Sequence, residues 1–252
     1  MAVDIKKIEN LKILKPPVNP LDTPLQHNYG LCERHNLDIF SEPLNVISSL
    51  LFFLVAYEIF NLYRRNRDIN SKWIIDLKIL NFLIICIGFG STLFHMVPNY
   101  YTELLDISFI IIFINLYFIC VMKRVALLNW FQVVVAFLAF LGTTNFIVSK
   151  FPNAMNDSIG YLSTMISLIF IAVYLSLRNR PSAKYYLLAS LVGVASLFFR
   201  SIDNYVCNEL PIGTHFLWHS CNAVLIYILM KQLVRSVNRR ARMLEMAAYH
   251  GV

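Results

Sequence analysis

Long apolar runs separated by short polar breaks dominate the sequence. A helix that crosses a bilayer needs about 20 mostly apolar residues, because the hydrocarbon offers its backbone no other hydrogen-bonding partner. Seven runs meet this requirement and predict seven membrane-spanning helices in one bundle. The predicted spans are 43–63, 77–97, 103–122, 125–147, 158–177, 185–203 and 211–234. We therefore expect an all-α, seven-transmembrane protein.

The predicted spans divide the chain into three parts. These are an N-terminal segment over 1–42, a seven-helix domain over 43–234 and a basic tail over 235–252. The N-terminal segment mixes acids, bases and prolines and contains no continuous apolar stretch, which is not typical of a cleaved signal peptide. The first span is therefore expected to direct membrane insertion itself.

Basic residues cluster in alternate connections, and this pattern predicts how the bundle is oriented. The clusters follow the first, third, fifth and seventh spans and consist of Arg64, Arg65, Arg67 and Lys72, of Lys123 and Arg124, of Arg178, Arg180 and Lys184, and of Arg235, Arg239, Arg240 and Arg242. Connections rich in Lys and Arg stay on the cytoplasmic side. The N-terminus is therefore predicted to lie outside or in a lumen, and the C-terminus in the cytoplasm.

The composition agrees with a membrane protein. Of the 252 residues, 58% are hydrophobic and 15% are charged, whereas soluble domains carry about 25% charged residues. The formal net charge is +7. Because most of the bases lie in the short clusters between spans, this charge is typical of a topology signal, and nucleic-acid binding is not expected.

Ionisable side chains inside membrane helices are costly unless they are paired or bind a metal, so they mark candidate functional positions. Ser91 and His95 are four residues apart in the second span, and His215 and His219 are four apart in the seventh. Residues four apart share one face of a helix. Asp106 lies about one turn into the third span. In the predicted topology all five lie toward the outer face of the bundle.

Three histidines at one depth are a donor set suited to zinc. The seventh-span pair and His95 would supply three imidazole nitrogens and leave a fourth coordination position for water. These are the three of the six histidines that lie inside predicted spans. Structural alternatives remain for each position, because a lone membrane histidine often bonds a neighbouring helix, Ser91 can bond its own backbone, and Asp106 can offset a helix dipole.

A set of short motifs is distributed over residues 32–219. They are Cys32-Glu33, Glu42 with Asn45 and Ser48, Gly88 to His95, Leu104-Leu105-Asp106, Asp203 to Cys207, and His215 to His219. In this order the motifs resemble the alkaline ceramidase family, which is part of a wider group of seven-helix membrane hydrolases that includes the adiponectin-receptor type.

The resemblance implies a site and an activity. His95, His215 and His219 would bind zinc, and Ser91 and Asp106 would act on the water that the zinc activates. The reaction would be hydrolysis of the amide bond of ceramide, or of a related N-acyl sphingolipid, to a sphingoid base and a fatty acid. The expected partners are this lipid and the bilayer, which would be the plasma or inner membrane of a bacterium or the ER or Golgi membrane of a eukaryote.

The resemblance also pairs Cys32 with Cys207 in a disulfide. The predicted topology agrees, because it places both cysteines in non-cytoplasmic segments, where disulfides persist. The other three cysteines, Cys86, Cys120 and Cys221, lie within predicted spans.

A calcium site is a further expectation of the family, and here its ligands are incomplete. Family members often carry an Asp and a Trp ahead of the Cys and an Asn after the Glu, whereas this chain has Gly30, Leu31 and His35. Calcium takes oxygen ligands, so two are lost. The remaining candidates, Glu33, Glu42 and Asn45, are either calcium ligands or structural residues.

Other functions fit parts of the pattern. A hydrolase of the same group acting on another N-acyl lipid or an ester, or a receptor-type member that retains the zinc site, would carry the same residues. A retinal protein needs a lysine near the middle of the last helix, but Lys231 lies near its inner end. A transporter could use Glu58, yet the broken helices and repeats typical of transporters are not evident.

Overall fold

The computed structural model describes residues 31–36, 38–65 and 74–249, which form helices joined by short connections and contain no strand. The helices are α1 (Pro43–Ser49), α2 (Leu51–Arg65), α3 (Ile75–Met96), α4 (Tyr100–Arg124), α5 (Trp130–Lys150), α6 (Gly160–Leu177), α7 (Ala183–Ile202) and α8 (His215–Tyr249). With α1 and α2 counted as one span, seven spans in this part of the chain are long and apolar enough to cross a membrane. The predicted seven-helix membrane fold is therefore confirmed.

The first span begins abruptly and is broken two turns after its start. Pro43 occupies the first turn of α1, where its missing N–H costs nothing. Two of the free N–H groups of that turn, those of Leu44 and Asn45, donate to the carboxylate of Glu33 at 2.6 and 2.9 Å. An acidic side chain at a helix N-terminus also complements the helix dipole. Leu50 separates α1 from α2 and donates its N–H to the carbonyl of Ile47, three residues back.

The last span differs from the prediction at both ends. It was expected over 211–234, but α8 begins at His215 and runs on to Tyr249. The start is displaced because Asp203, from the preceding connection, accepts the N–H groups of Thr214 and His215 at 2.6 and 2.9 Å. At the other end, the predicted basic tail continues the helix up to Tyr249 without a break.

Some predictions fall outside the described residues. These are the structure of residues 1–30, which include Gly30, and the basic residues Arg67 and Lys72. The orientation of the bundle and its division into three parts stay predictions.

Helices α3 and α8 lie at the centre of the bundle. More than half of the most apolar 18-residue stretch of each is buried, whereas the corresponding stretch of α5 is the most exposed of the seven. Their buried faces supply much of a continuous apolar core, which includes Leu80, Ile84, Met230 and Leu233. The two most buried helices are thus the two that carry the three candidate histidines.

A disulfide joins Cys32 and Cys207, as predicted, with the Cα atoms 4.9 Å apart. It ties the segment ahead of α1 to the connection between α7 and α8. The other three cysteines, Cys86, Cys120 and Cys221, are free.

We expect the double variant Cys32→Ser/Cys207→Ser to unfold at a lower temperature than the wild type. The bond closes a loop with a sequence separation of 175, and in the chain-entropy model such a loop contributes up to about 5 kcal/mol. Thermal unfolding of the purified protein in detergent measures the loss. Cys86→Ser is the control, and equal melting temperatures for the wild type and the double variant would contradict the expectation.

Candidate metal centre and active site

Three imidazoles from α3 and α8 converge in the outer half of the predicted bundle. His95 lies in the last turn of α3, His215 is the first residue of α8, and His219 follows one turn later. One ring nitrogen of each lies within 4.8 Å of the others, and all three rings are buried. Within the described part of the chain, this is the group of His, Cys, Asp and Glu side chains close enough together to hold a metal ion.

Two of the imidazoles are oriented by partners behind them. Nδ1 of His95 is 2.5 Å from the Glu42 carboxylate, which can only accept, so this nitrogen donates. Nδ1 of His219 is 3.0 Å from Oγ of Ser48, whose own proton goes to the carbonyl of Asn45. His219 therefore also donates from Nδ1. Both rings carry their proton on Nδ1, which leaves the lone pair on Nε2 free in each, as in metal-binding histidines with an outer hydrogen-bond partner.

The spacing of these two free nitrogens fits a metal ligand pair. Nε2 of His95 and Nε2 of His219 are 3.3 Å apart. A tetrahedral zinc with Zn–N distances of about 2.0–2.1 Å separates two ligand nitrogens by about 3.3–3.4 Å. Because neither nitrogen carries a proton, the two lone pairs repel each other unless a cation lies between them. The residues present thus suit a borderline-soft ion such as zinc.

The third imidazole is positioned by the start of α8. Asp203 is fully buried and accepts the N–H groups of Thr214 and His215 with one oxygen and that of Cys32 with the other. The chain reaches this arrangement through Gly213, whose φ is +62°, a conformation that favours glycine. A Cβ at Gly213 would also lie 2.7 Å from Cβ of Cys32. His215 therefore depends on a turn that only glycine fits.

Arg200, in the last turn of α7, contacts the ring of His215. Its Nη1 lies 2.7 Å from Nδ1 and 3.4 Å from Nε2 of His215, and its Nε donates to Oγ of Ser158 at 2.9 Å. A guanidinium offers donors only. Since a neutral imidazole that ligates through one nitrogen carries a proton on the other, Arg200 cannot donate to His215 while His215 holds a metal. Ligation by His215 therefore requires a local turn of the Arg200 side chain.

Ser91 and Asp106 lie at the same end of the bundle. Ser91 is buried, and its Oγ is 3.0 Å from Oγ of Ser49. Asp106 lies where α4 packs closely against α3, because a Cβ at Gly90 would lie 3.1 Å from Cα of Asp106. Oδ1 of Asp106 is buried and has no hydrogen-bond partner among the described residues. Buried polar atoms of this kind are rare and mark positions where a ligand or water donates.

One cavity connects these groups. Its polar end is lined by His215, His219, Ser91, Asp106 and Arg200. Its body is mostly apolar and is lined by residues of α4, α6, α7 and α8, among them Ile110, Phe113, Tyr117, Met165, Leu168 and Leu229. A few convergent polar groups at one end of an apolar cavity are typical of a site for an amphipathic small molecule.

The carboxylate oxygens of the calcium candidates already accept hydrogen bonds from other groups of the protein. Both oxygens of Glu33 accept backbone N–H groups of α1, and burial raises the pKa of this carboxyl more than those bonds lower it. Burial also acts to raise the pKa of Glu42, but hydrogen bonds from His95 and Asn45 and the charge of Arg34 outweigh it, so the net pKa is lowered. These contacts favour the structural alternative for Glu33, Glu42 and Asn45.

A comparison with protein-family models matches residues 29–250 to the family described as Ceramidase. This match covers most of the chain. The chain belongs to the ceramidase family. It is accordingly a hydrolase that acts on the amide bond of ceramide, within an integral, multi-pass membrane domain. A search of the curated proteins found no match.

The features that suggested a ceramidase from the sequence meet in space, but two arginines were missed. Arg200 lies within the predicted sixth span, so the rule that singled out Asp106 applies to it equally. Arg34 directly follows the Cys-Glu motif, where a charge is usually solvated. The residues considered for a retinal protein and for a transporter do not belong to this site. Lys231 donates to the hydroxyl of Tyr227 at 2.8 Å, and Glu58 is exposed on α2.

We expect the purified protein to carry one metal ion per chain and His95→Ala, His215→Ala and His219→Ala each to lose it. The physical reason is that the site offers three side-chain ligands, so the loss of any one leaves two, which are too few to hold the ion. Metal analysis of the detergent-purified variants measures the stoichiometry. His35→Ala, at an exposed position ahead of α1, is the control. A full equivalent of metal in His215→Ala would remove that residue from the ligand set.

Proposed function

We propose that this protein is a zinc-dependent ceramidase in which His95, His215 and His219 hold the metal and Asp106 and Ser91 act on the reacting groups. The observation that carries this proposal is that the Nε2 atoms of His95 and His219 lie 3.3 Å apart in a buried site, while His219 and His215 line the polar end of an apolar cavity. When bound, zinc supplies a water of lowered pKa and polarises the carbonyl of the substrate.

Asp106 is the general base of this proposal. Its buried Oδ1 has no partner within the described part of the protein and lines the cavity, so it is available to accept a proton from the attacking water. The water oxygen bonds to the carbonyl carbon, and the carbon–nitrogen bond then breaks. Asp106 passes the proton to the leaving nitrogen, which departs as the sphingoid amine, while the acyl group leaves as a fatty acid.

Ser91 is best suited to orient the attacking water. Ser49 donates its single proton to the carbonyl of Asn45 at 2.8 Å, so the contact between Ser49 and Ser91 uses the proton of Ser91. The lone pairs of Ser91 then remain to accept a hydrogen bond from the water. In this arrangement Ser91 does not donate to the developing oxyanion.

The shape of the cavity supports a lipid with long apolar chains. The amide group would lie at the polar end, beside the histidines and Asp106, and an acyl or sphingoid chain would extend along the apolar body. Phe113 and Tyr117 lie in the body on α4, and Tyr117 donates to the backbone carbonyl of Leu229 on α8 at 3.0 Å. Because the cavity lies between membrane helices, a lipid can reach it without full transfer to water.

We expect Asp106→Asn to keep its metal and to lose activity by about 10²–10⁴-fold, which is the usual contribution of a general acid–base group. Fatty acid release from ceramide in mixed micelles measures the rate, and metal analysis of the same sample measures retention. Asp76→Asn removes a carboxylate that pairs with Arg124 elsewhere in the bundle and is the control. A loss smaller than about threefold for Asp106→Asn would exclude it as the base.

Ser91→Ala is expected to lose less activity than Asp106→Asn, because orientation of the water is impaired but its deprotonation is not. Ser201→Ala is the matched control, since Ser201 donates to the carbonyl of Leu197 within its own helix. Assays with ceramide, another N-acyl lipid and an ester of matched chain length identify the preferred head group. Turnover of the ester alone would contradict the ceramide assignment, and zinc without turnover of any of the three would favour a receptor.

A further inference from the structure

Arg34 lies next to the disulfide and uses three donor groups on three different acceptors. Its Nε donates to Oε1 of Glu42, its Nη2 to the backbone carbonyl of His95 at 2.6 Å, and its Nη1 to the carbonyl of Asn36 at 3.3 Å. The side chain is 10% exposed. A planar guanidinium fixes the relative positions of the groups it bonds. Arg34 therefore connects the segment ahead of α1 to the end of α3.

Glu42 passes this contact on to the metal centre. One of its oxygens binds Arg34, and the other accepts from Nδ1 of His95 and from Nδ2 of Asn45. The Glu42 side chain is 2% exposed. A buried carboxylate needs a compensating positive charge and full hydrogen bonding, and removal of one partner from such a pair is costly. Arg34 provides a permanent charge for Glu42, so it acts on the side chain of His95 through Glu42 and on the backbone of His95 directly.

We propose that Arg34 is a positioning residue of the metal centre, which holds the imidazole of His95 in its ligating orientation through Glu42 and the His95 carbonyl. The proposal rests on the zinc site described above. It assigns to Arg34 an effect on how tightly the metal is retained.

Other contacts hold the fold of this region without Arg34. The Cys32–Cys207 bond fixes the backbone two residues before Arg34. Glu33 bonds the first turn of α1 by itself. Loss of the guanidinium therefore leaves the segment attached and α1 capped, but it removes the bond that holds Oε1 of Glu42. The expected consequence is a loosened His95 ring in a folded protein.

The test compares metal retention in Arg34→Met, Arg34→Lys and the wild type. Substitution of outer partners of metal ligands typically weakens metal affinity by about 10–100-fold. We expect a loss in this range for Arg34→Met. A smaller loss is expected for Arg34→Lys, because lysine keeps the positive charge but lacks the planar set of donors of the guanidinium. Competition with a zinc chelator measures retention, and thermal unfolding of the same samples measures folding. Arg124→Met breaks an arginine–carboxylate pair with Asp76 and is expected to retain zinc as the wild type does.

A double-variant cycle shows whether Arg34 acts through Glu42. If it does, Arg34→Met adds little to the loss caused by Glu42→Gln, because effects of residues in one network are not additive. Wild-type zinc retention in Arg34→Met, or fully additive losses in the double variant, would overturn the proposal. If Arg34→Met does not fold, unchanged retention in Arg34→Lys relative to Arg124→Met decides against it. A wild type that carries no zinc would instead refute the proposed function itself.

Discussion

Every polar nitrogen of the buried imidazoles must find its partner inside the protein, because the surrounding bundle offers no bulk water. Glu42 takes Nδ1 of His95, and Ser48 takes Nδ1 of His219. Both partners come from the start of the first span, so this span has to lie against α3 and α8 at the depth of the histidines. The break after Ser49 occurs where Ser48 and Ser49 contact His219 on α8. The need for two hydrogen-bond acceptors behind the imidazole rings thus determines where the first span lies and where it is broken.

The same need explains the covalent and charged contacts around the start of α1. The two acceptors are useful only if the start of α1 is held in place, and Glu33 and the Cys32–Cys207 bond hold it there. Asp203 adds a second attachment, because it bonds both Cys32 and the first N–H groups of α8. The acidic residues of this region are therefore engaged with the chain's own donors, which leaves little free carboxylate for calcium.

Much of this was readable from the sequence, for physical reasons. Apolar runs report spans directly, and the four-residue spacing of His215 and His219 reports a shared helix face. Apart from the Cys32–Cys207 bond and the shared depth of the three histidines, contacts between residues distant in sequence were not readable. The displaced start of α8 depends on Asp203, which the sequence marks as part of a motif but without showing that its side chain bonds the first N–H groups of α8. Arg34 is adjacent to a motif but has no periodic partner, whereas Arg200 is a charge within a span and was accessible to the rule for intramembrane charges.

The hydrogen-bond partners also separate groups that orient from groups that react. His95 and His219 have their outer nitrogens occupied, as expected of ligands whose position must not change during a reaction. Of the polar side chains that line the cavity in the described part of the chain, Asp106 is the one with a buried oxygen that has no partner. Gly90 brings α4 close to α3 at this residue, so the unpaired oxygen is held near the histidines by backbone packing. In the proposed mechanism, a base that is fixed by packing keeps its lone pair free for the attacking water, whereas a base that is fixed by hydrogen bonds would not.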